Sequence, residues 1–367
     1  TNVAERSLGL KSFFKKVHNE ELLSCLIDDS LVRELILSDK HVYERSLKQK
    51  DVKLDEIRNN VNSESVIVVT GGSSGISAEV AIALVEKTKC KIVAIGRTAM
   101  PEIEPYPGMS DVPAIKIQVF KDVKAELVKQ GKKEGDVSGK EINNRVSKIM
   151  RQKEMLGTKR RVEEAGGVFD YFIADVSDET ALKNCLEEIK NKYGSINGVI
   201  HGAGFAEDSI VINKQLDSFK KVFNVKADSG YYLYKYLKDE PLDFVAFFSS
   251  FASYAGNFGQ SDYAAGNAVL NSIAMRWNDE ADYPVKAFLW AIWENSGLGA
   301  KNEILIEEMH NVDVHGIVDE DGTRLFLEEI LYSKKKYEQI VVSTESAIQF
   351  ILQSHDVYKE GMLSHLA

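Results

Sequence analysis

The most constraining stretch of this chain is Val66-Ile67-Val68-Val69 followed at once by Thr70-Gly71-Gly72-Ser73-Ser74-Gly75-Ile76-Ser77. The β-branched run predicts a buried strand, the glycines a tight turn, and the apolar spacing from Ala78 to Lys87 a helix. A second run, Lys91-Ile92-Val93-Ala94-Ile95-Gly96, closes a strand-helix-strand unit of about thirty residues. Strands joined in this way are parallel and covered on both faces, which commits the chain to an α/β sheet. Glycines in the turn allow a pyrophosphate to approach the backbone, and the helix after it offers free N–H groups and the positive end of its dipole. Thr70, Gly71, Gly72, Ser73, Ser74, Gly75 and Ile76 are therefore the candidate dinucleotide-binding turn; the competing reading is a tight connection that binds nothing.

Further strand-like runs are Val168 to Ile173, Ile196 to His201, Phe244 to Phe248, Val285 to Trp290 and Gln339 to Val342, with room between them for crossover helices. The pattern predicts an α/β fold, a Rossmann-type doubly wound parallel sheet of about seven strands. Ahead of it, Phe14, Val17, Leu22, Leu26, Leu31 and Leu35 recur at helical spacing, so residues 1–62 read as a helical leader or linker. The start without Met suggests a piece of a longer polypeptide. Residues 101–166 are too long for a short crossover and read as a basic helical insertion after the second strand; residues 344–367 read as a C-terminal helical extension.

An apolar share of 44% supports a sizeable core. The absence of any run near the roughly 20 apolar residues of a membrane helix, or of a signal-peptide start, predicts a cytoplasmic protein without a membrane partner. A formal charge of −10 argues against nucleic acid. Cys25, Cys90 and Cys185 show no metal or disulfide spacing, and His310 and His315 lie five apart but the nearby carboxylates do not complete a metal pattern, so no metal is expected.

Where an acid for NAD ribose hydroxyls is usual, the second strand ends in Gly96-Arg97-Thr98. Arg97 suits a 2′-phosphate, which favours NADPH; a solvated strand-end arginine is the plain alternative. Asp175 and Val176 follow the third strand of the unit, and Gly202, Ala203 and Gly204 follow the fourth, at carboxyl ends that line a ligand crevice, although each could be an ordinary cap or turn. Ser250 ends the next strand, and Tyr263 and Asn267, four apart on the following helix, share one face. Carbonyl reduction needs a proton for the developing oxyanion; a tyrosine near an ammonium can supply it, with a serine as second donor.

These residues resemble a known family. The turn at Thr70 to Ile76, the stretch Val222-Phe223-Asn224-Val225-Lys226-Ala227-Asp228-Ser229-Gly230, and Phe248-Ser249-Ser250 through Gly259-Gln260 to Tyr263-Ala264-Ala265-Gly266-Asn267 look like ketoreductase domains of polyketide synthases and polyunsaturated fatty-acid synthases, within the short-chain dehydrogenase/reductase superfamily. The resemblance spans about Glu64 to Val342 and makes residues 63–343 an NADPH-binding ketoreductase domain. It implies Tyr263 as proton donor, Ser250 as its partner on the carbonyl, Lys226 as the group that lowers the tyrosine pKa, and Asn267 as support for the lysine and a relay water. It also implies a mobile lid over Leu298 to His310. Trp290-Ala291-Ile292-Trp293 is similar to the family's Trp-Gly-Pro-Trp segment, with Ala291 and Ile292 replacing Gly and Pro. Asp208 alone survives of a Leu-Asp-Asp motif, and Ala255 stands eight before the tyrosine where the opposite stereochemical class has Trp; both lean towards the D-hydroxy product.

The implied reaction is NADPH-dependent reduction of a 3-oxoacyl thioester on the phosphopantetheine arm of an acyl carrier protein, inside a larger synthase with neighbouring domains. Carrier proteins are generally acidic, and the thirteen Lys or Arg against six Asp or Glu from Lys121 to Arg161 could steer one. Rival readings are a catalytically dead structural half, which would be expected to lack these motifs; a free-standing short-chain dehydrogenase on a small carbonyl, which usually has Lys at the place of Asn267; and a non-catalytic NADPH-binding module.

Overall fold

The β-branched and aromatic runs form seven strands of one parallel sheet: β3 Val66–Thr70, β4 Lys91–Gly96, β5 Val168–Ile173, β6 Gly198–His201, β7 Phe244–Ser250, β8 Val285–Trp290 and β9 Gln339–Val342. The computed structural model describes residues 35–38, 41–44, 60–131, 137–332 and 338–350. Spatial order in the sheet is β5-β4-β3-β6-β7-β8-β9, so the chain winds outward from β3 in one direction and then resumes beside it in the other. The reversal falls between β3 and β6, and the carboxyl ends there open the crevice in which doubly wound sheets hold ligands. Strand β6 begins at Gly198, later than its apolar run, because Asn197 turns its side chain to accept the Val66 N–H at 2.9 Å.

The leader reading needs correction. Leu35–Ser38 (β1) and His41–Glu44 (β2) pair antiparallel, with Leu35 opposite Glu44 and Ser38 opposite His41. Helical periodicity is broken by the polar Ser38-Asp39-Lys40, and the flanking Leu-Ile-Leu and Val-Tyr runs suit a hairpin better than a helix. The rest of that segment lies outside the described residues. So does most of the C-terminal extension; its residues 345–350 are helical.

Helix α1 Gly75–Thr88 follows β3. Between β4 and β5 stand α2 Val112–Lys129, capped by Asp111, and α3 Gly139–Glu164, where Ser138 and Glu141 stand at capping-box spacing and the Ser138 hydroxyl accepts the Glu141 N–H. Ile115, Val119 and Val123 of α2 pack on Ile142, Val146 and Ile149 of α3 in a small core of their own. The C-terminal half of α3 also serves as the crossover helix, since Val162 joins the main core. Lys159, Arg160 and Arg161 each pair with a glutamate, Glu163, Glu164 and Glu79 respectively.

One face of the sheet is covered by α4 Glu179–Tyr193, α5 Leu216–Leu237 and α7 Ser261–Glu280, through Leu182, Leu186, Leu233, Leu237, Leu270 and Trp277. The other face carries α1, α3 and α10 Asp319–Leu327 around an aromatic group of Phe248, Phe288, Trp290, Trp293 and Phe326. Shorter helices are α6 Ala252–Ala255, α8 Gly297–Ala300 and α9 Glu303–Asn311. Among the described residues no helix is long and apolar enough to cross a membrane.

Candidate active site

The glycine-rich turn sits at the carboxyl end of β3. Gly71 has φ +68°, and a Cβ there would lie 3.1 Å from the backbone of Ala203, so only glycine lets the turn and the end of β6 meet. Gly202 N donates to Thr70 O, and Ala203 N donates to Thr70 Oγ1 at 3.2 Å. His201, fully buried at the end of β6, completes this join. Its Nδ1 is 2.6 Å from Thr70 Oγ1 and its Nε2 3.0 Å from Ser229 Oγ. Because the Ser229 hydroxyl donates to Val225 O, Nε2 carries the proton and Nδ1 accepts from Thr70. Burial, with the charge of Lys226, pushes the imidazole down to about 3, consistent with this neutral form. Sequence reading saw His201 only as part of a strand end; its role depends on partners in two other elements.

The positive end of α1 is already used by an anion of the chain. Glu154 of α3 accepts the Gly75 N–H at 2.9 Å, and Thr158 of the same helix donates to Ser73 O. Glu154 thereby satisfies one of the free N–H groups at the start of α1. Arg97 Nη1 lies 3.7 Å from Asp175 Oδ2. Burial works to raise the Asp175 carboxyl, but hydrogen bonds from Ser177 and the charge of Arg97 outweigh it and hold it below its usual range. Asp175 thus closes a turn before α4 while facing the arginine. Val176 is buried beside it.

On the other side of the crevice, α5 and α7 pack closely. A Cβ on Gly266 would stand 3.2 Å from Lys226 Cβ, and one on Gly204 only 2.4 Å from Lys226 Cε, so small residues leave the channel the lysine fills. Lys226, 4% exposed, donates to Phe248 O at 2.8 Å, and burial brings its ammonium down to about 7. Tyr263 is one turn before Asn267, whose amide donates to the tyrosine carbonyl at 2.8 Å. The pKa of the Tyr263 phenol is raised, chiefly by burial and further by Asp208, while the nearby polar side chains of Ser250 and Asn267 pull it back. The four sequence-predicted residues are brought to one place. Lys226 stands on the Phe248 carbonyl, at the strand that leads into Ser250. Asn267 Oδ1 is buried without a partner among the described residues, a free acceptor inside this cluster.

Asp208 accepts from Gln260 at 3.0 Å, and Ser209 N donates to Gly259 O, which ties the 208–209 strip to the start of α7. Ala255 ends α6, half-buried. Two residues that the sequence did not single out lock the same region: Lys214 and Asp262 form an ion pair of 2.7 Å, with side chains 4% and 1% exposed, and Asp262 also accepts the Tyr263 N–H. In the Trp290 to Trp293 segment the Ala291 N–H donates to Val342 O, and Ile292 O accepts from Ile317 N, so its backbone is pinned from two sides despite the lost Gly and Pro. The lid expected over Leu298 to His310 corresponds to α8 and α9.

The sheet order and the crevice at its switch point are those of the Rossmann-type short-chain dehydrogenase/reductase class. A family model described as "KR domain" matches residues 65–295, and the chain belongs to that family. Such ketoreductase domains are oxidoreductases that bind a nicotinamide cofactor. Among curated relatives, Polyketide synthase PksM of Bacillus subtilis is 30% identical over 194 residues, which are 53% of this chain and 4% of that one. One chain of a polyunsaturated fatty acid synthase from a Thraustochytrium species is 25% identical over 297 residues, 76% of this chain and 10% of that one. The chain thus spans only a small part of these synthases. Among solved structures, a ketoreductase domain from the bacillaene assembly line superposes with a TM-score of 0.63 at 23% identity, covering 84% of this chain and 62% of that one. A ketoreductase from the first module of phoslactomycin biosynthesis in Streptomyces sp. HK803 gives 0.63 at 19% identity, covering 88% and 61%. At these identities the likeness is one of fold.

Proposed function

We propose that the chain reduces a 3-oxoacyl thioester, presented on the phosphopantetheine arm of an acyl carrier protein, to the 3-hydroxyacyl thioester, with NADPH as reductant, as part of a larger synthase. The reading rests above all on the convergence of Ser250, Tyr263 and Asn267 with Lys226 behind them, beside the switch-point crevice. A nicotinamide cofactor held at the glycine-rich turn would supply the hydride for the carbonyl carbon. Tyr263 donates its phenolic proton to the carbonyl oxygen, and Ser250 hydrogen-bonds the same oxygen. Burial keeps the phenol protonated until a stronger base, the developing alkoxide, is within reach. The Lys226 ammonium stands close by to balance the tyrosinate left behind, and the free Oδ1 of Asn267 can accept from that ammonium or from a relay water. Arg97 is the residue for the 2′-phosphate, with Asp175 holding its guanidinium towards the adenosine end. Asp208, tied to Gln260 ahead of Tyr263, is the residue placed to bias the face of attack.

The test is loss of reduced-nicotinamide absorbance with an acetoacetyl-carrier or acetoacetyl-pantetheine thioester, comparing NADPH with NADH and the wild type with Tyr263→Phe. General-acid removal is expected to cost about 10²–10⁴-fold in turnover while leaving NADPH binding intact. Full activity in Tyr263→Phe, or NADPH binding without turnover of any thioester, would overturn the assignment; the second result would favour a cofactor-binding module without chemistry.

A further inference from the structure

The carboxylates that neighbour His310 and His315 in sequence complete no metal pattern, but folding brings up another from sixteen residues away. Glu294 Oε1 lies 2.9 Å from His310 Nε2 and 3.9 Å from His315 Nδ1, and one donor atom from each of the three residues falls within 4.8 Å of the others. We propose that Glu294, His310 and His315 form a binding site for a borderline divalent transition-metal ion, with Zn²⁺ as its representative.

The donor set is two imidazole nitrogens and a carboxylate oxygen, a set that suits zinc better than calcium or magnesium. Zinc bonds of about 2.0–2.1 Å set tetrahedral ligand atoms roughly 3.4 Å apart. The observed 2.9 and 3.9 Å straddle that spacing and the donor atoms of the two histidines lie within 4.8 Å of each other, so side-chain adjustments of about an ångström suffice. Orientation is provided by a further shell of contacts. Asp313 Oδ1 is 3.2 Å from His315 Nε2, which holds the far nitrogen of the ring and turns Nδ1 towards Glu294. Asp313 adopts φ +56°, a left-handed conformation uncommon outside glycine, and the turn it makes sets His315 against Glu294. The Glu294 carboxylate is anchored by the Gly316 N–H at 2.8 Å and is only 17% exposed, whereas the two histidines are open to solvent. A cavity of about 310 Å³ bounded by Glu294, Ala300, Glu303, Ile306 and His310 adjoins the cluster and leaves room for water as a fourth ligand.

Such an ion would join α9 and the turn after it to the residue that directly follows Trp293, and so fix the segment beside the glycine-rich turn. It is a site for structure rather than for the reduction step, and it stands whether or not the proposed reaction is correct.

The experiment uses the whole chain, stripped by dialysis against a chelator and titrated with Zn²⁺ by calorimetry, with thermal melting and Co²⁺ visible absorption as companion readouts. Expected are one Zn²⁺ per chain, a higher melting temperature with Zn²⁺ and none with Mg²⁺, and a cobalt band of low coordination number. His310→Ala and His315→Ala should each abolish all three, and Asp313→Asn should weaken binding by about 10–100-fold. Melting of the variants without metal shows that they fold. No stoichiometric binding by the wild type, or binding that survives unchanged in the His310→Ala/His315→Ala double variant, would overturn the proposal, the latter by placing the ion elsewhere, for instance at a cysteine.

Discussion

Replacing Lys214 by Met strips the partner from a carboxylate that has almost no contact with water. Asp262 Oδ1 accepts from Lys214 at 2.7 Å and from Tyr263 N at 2.9 Å, while Oδ2 has no partner among the described residues. Two unit charges at that separation attract by about 6 kcal/mol at an effective dielectric of 20, which is a ceiling because both groups have been taken out of water. Removing one member of a buried pair costs about 3–5 kcal/mol, since the other charge stays behind unpaired. Lys214→Met is therefore expected to lose about 3–5 kcal/mol of a total of about 5–15. Lys214→Met/Asp262→Asn leaves no buried charge and should recover most of that loss. Urea unfolding measures both, provided the slope with denaturant is unchanged. A loss below about 1 kcal/mol in Lys214→Met, the range of an exposed pair, would refute the reasoning, as would a double variant no more stable than the single one. The pair also fixes the first turn of α7, so the double variant, folded but without the ion pair that ties this turn to Lys214, should bind NADPH normally and turn over more slowly.

Other outcomes follow from the same geometry. Arg97→Glu removes a charged contact worth about 1.5–3 kcal/mol and should weaken NADP⁺ by about 10–100-fold with little effect on NAD⁺ in fluorescence titrations; equal losses for both would remove Arg97 from the 2′-phosphate. Lys226 has its folded pKa depressed from 10.5 to about 7, so between those values the unfolded chain binds the extra proton and stability rises with pH, by about 1.4 kcal/mol per unit at most. Lys226→Met should flatten that rise in melts from about pH 7 to pH 10, and an unchanged slope would contradict a buried titrating lysine. His201, depressed from 6.5 to about 3, works in the acid window: stability present above 6.5 is lost as pH falls towards 3, and His201→Gln should reduce that acid sensitivity.

What could be read from residues alone follows from the range over which each signal acts. Strands β3, β4 and β7 carry runs of four or more apolar residues because parallel strands are buried on both faces, and such runs are visible without partners. Tyr263 and Asn267 were legible as an i, i+4 pair and Ser250 as a strand end, both local patterns. Lys214 and Asp262 are 48 residues apart, Gly75 and Glu154 79, and Glu294 and His310 16, with nothing in the intervening sequence to announce the meeting. The hairpin at Leu35–Ser38 and His41–Glu44 was missed for the opposite reason: leucines spaced for a helix outweighed a short polar break. In the basic insertion the ion pairs between Lys159 and Glu163 and between Arg160 and Glu164 lie at helical spacing, whereas that of Arg161 with Glu79 spans 82 residues and could not be read locally.

The glycine-rich turn brings these long-range contacts to one point. Glu154 of α3 reaches the Gly75 N–H with Oε1 and stands 3.8 Å from Lys301, between α8 and α9, with Oε2. Gly297, at the start of α8, comes so close that a Cβ on Gly75 would lie 3.3 Å from its Cα. A carboxylate at a helix N-terminus contributes about 0.3–1 kcal/mol. Any anion that takes the same N–H replaces that contribution with its own, so the helix end stays matched while Glu154 is released. Release also removes the charge facing Lys301, and with it one restraint on the α8–α9 segment. One carboxylate on the insertion thus touches both the start of α1 and the residue between α8 and α9, contacts that no local pattern in the sequence announces.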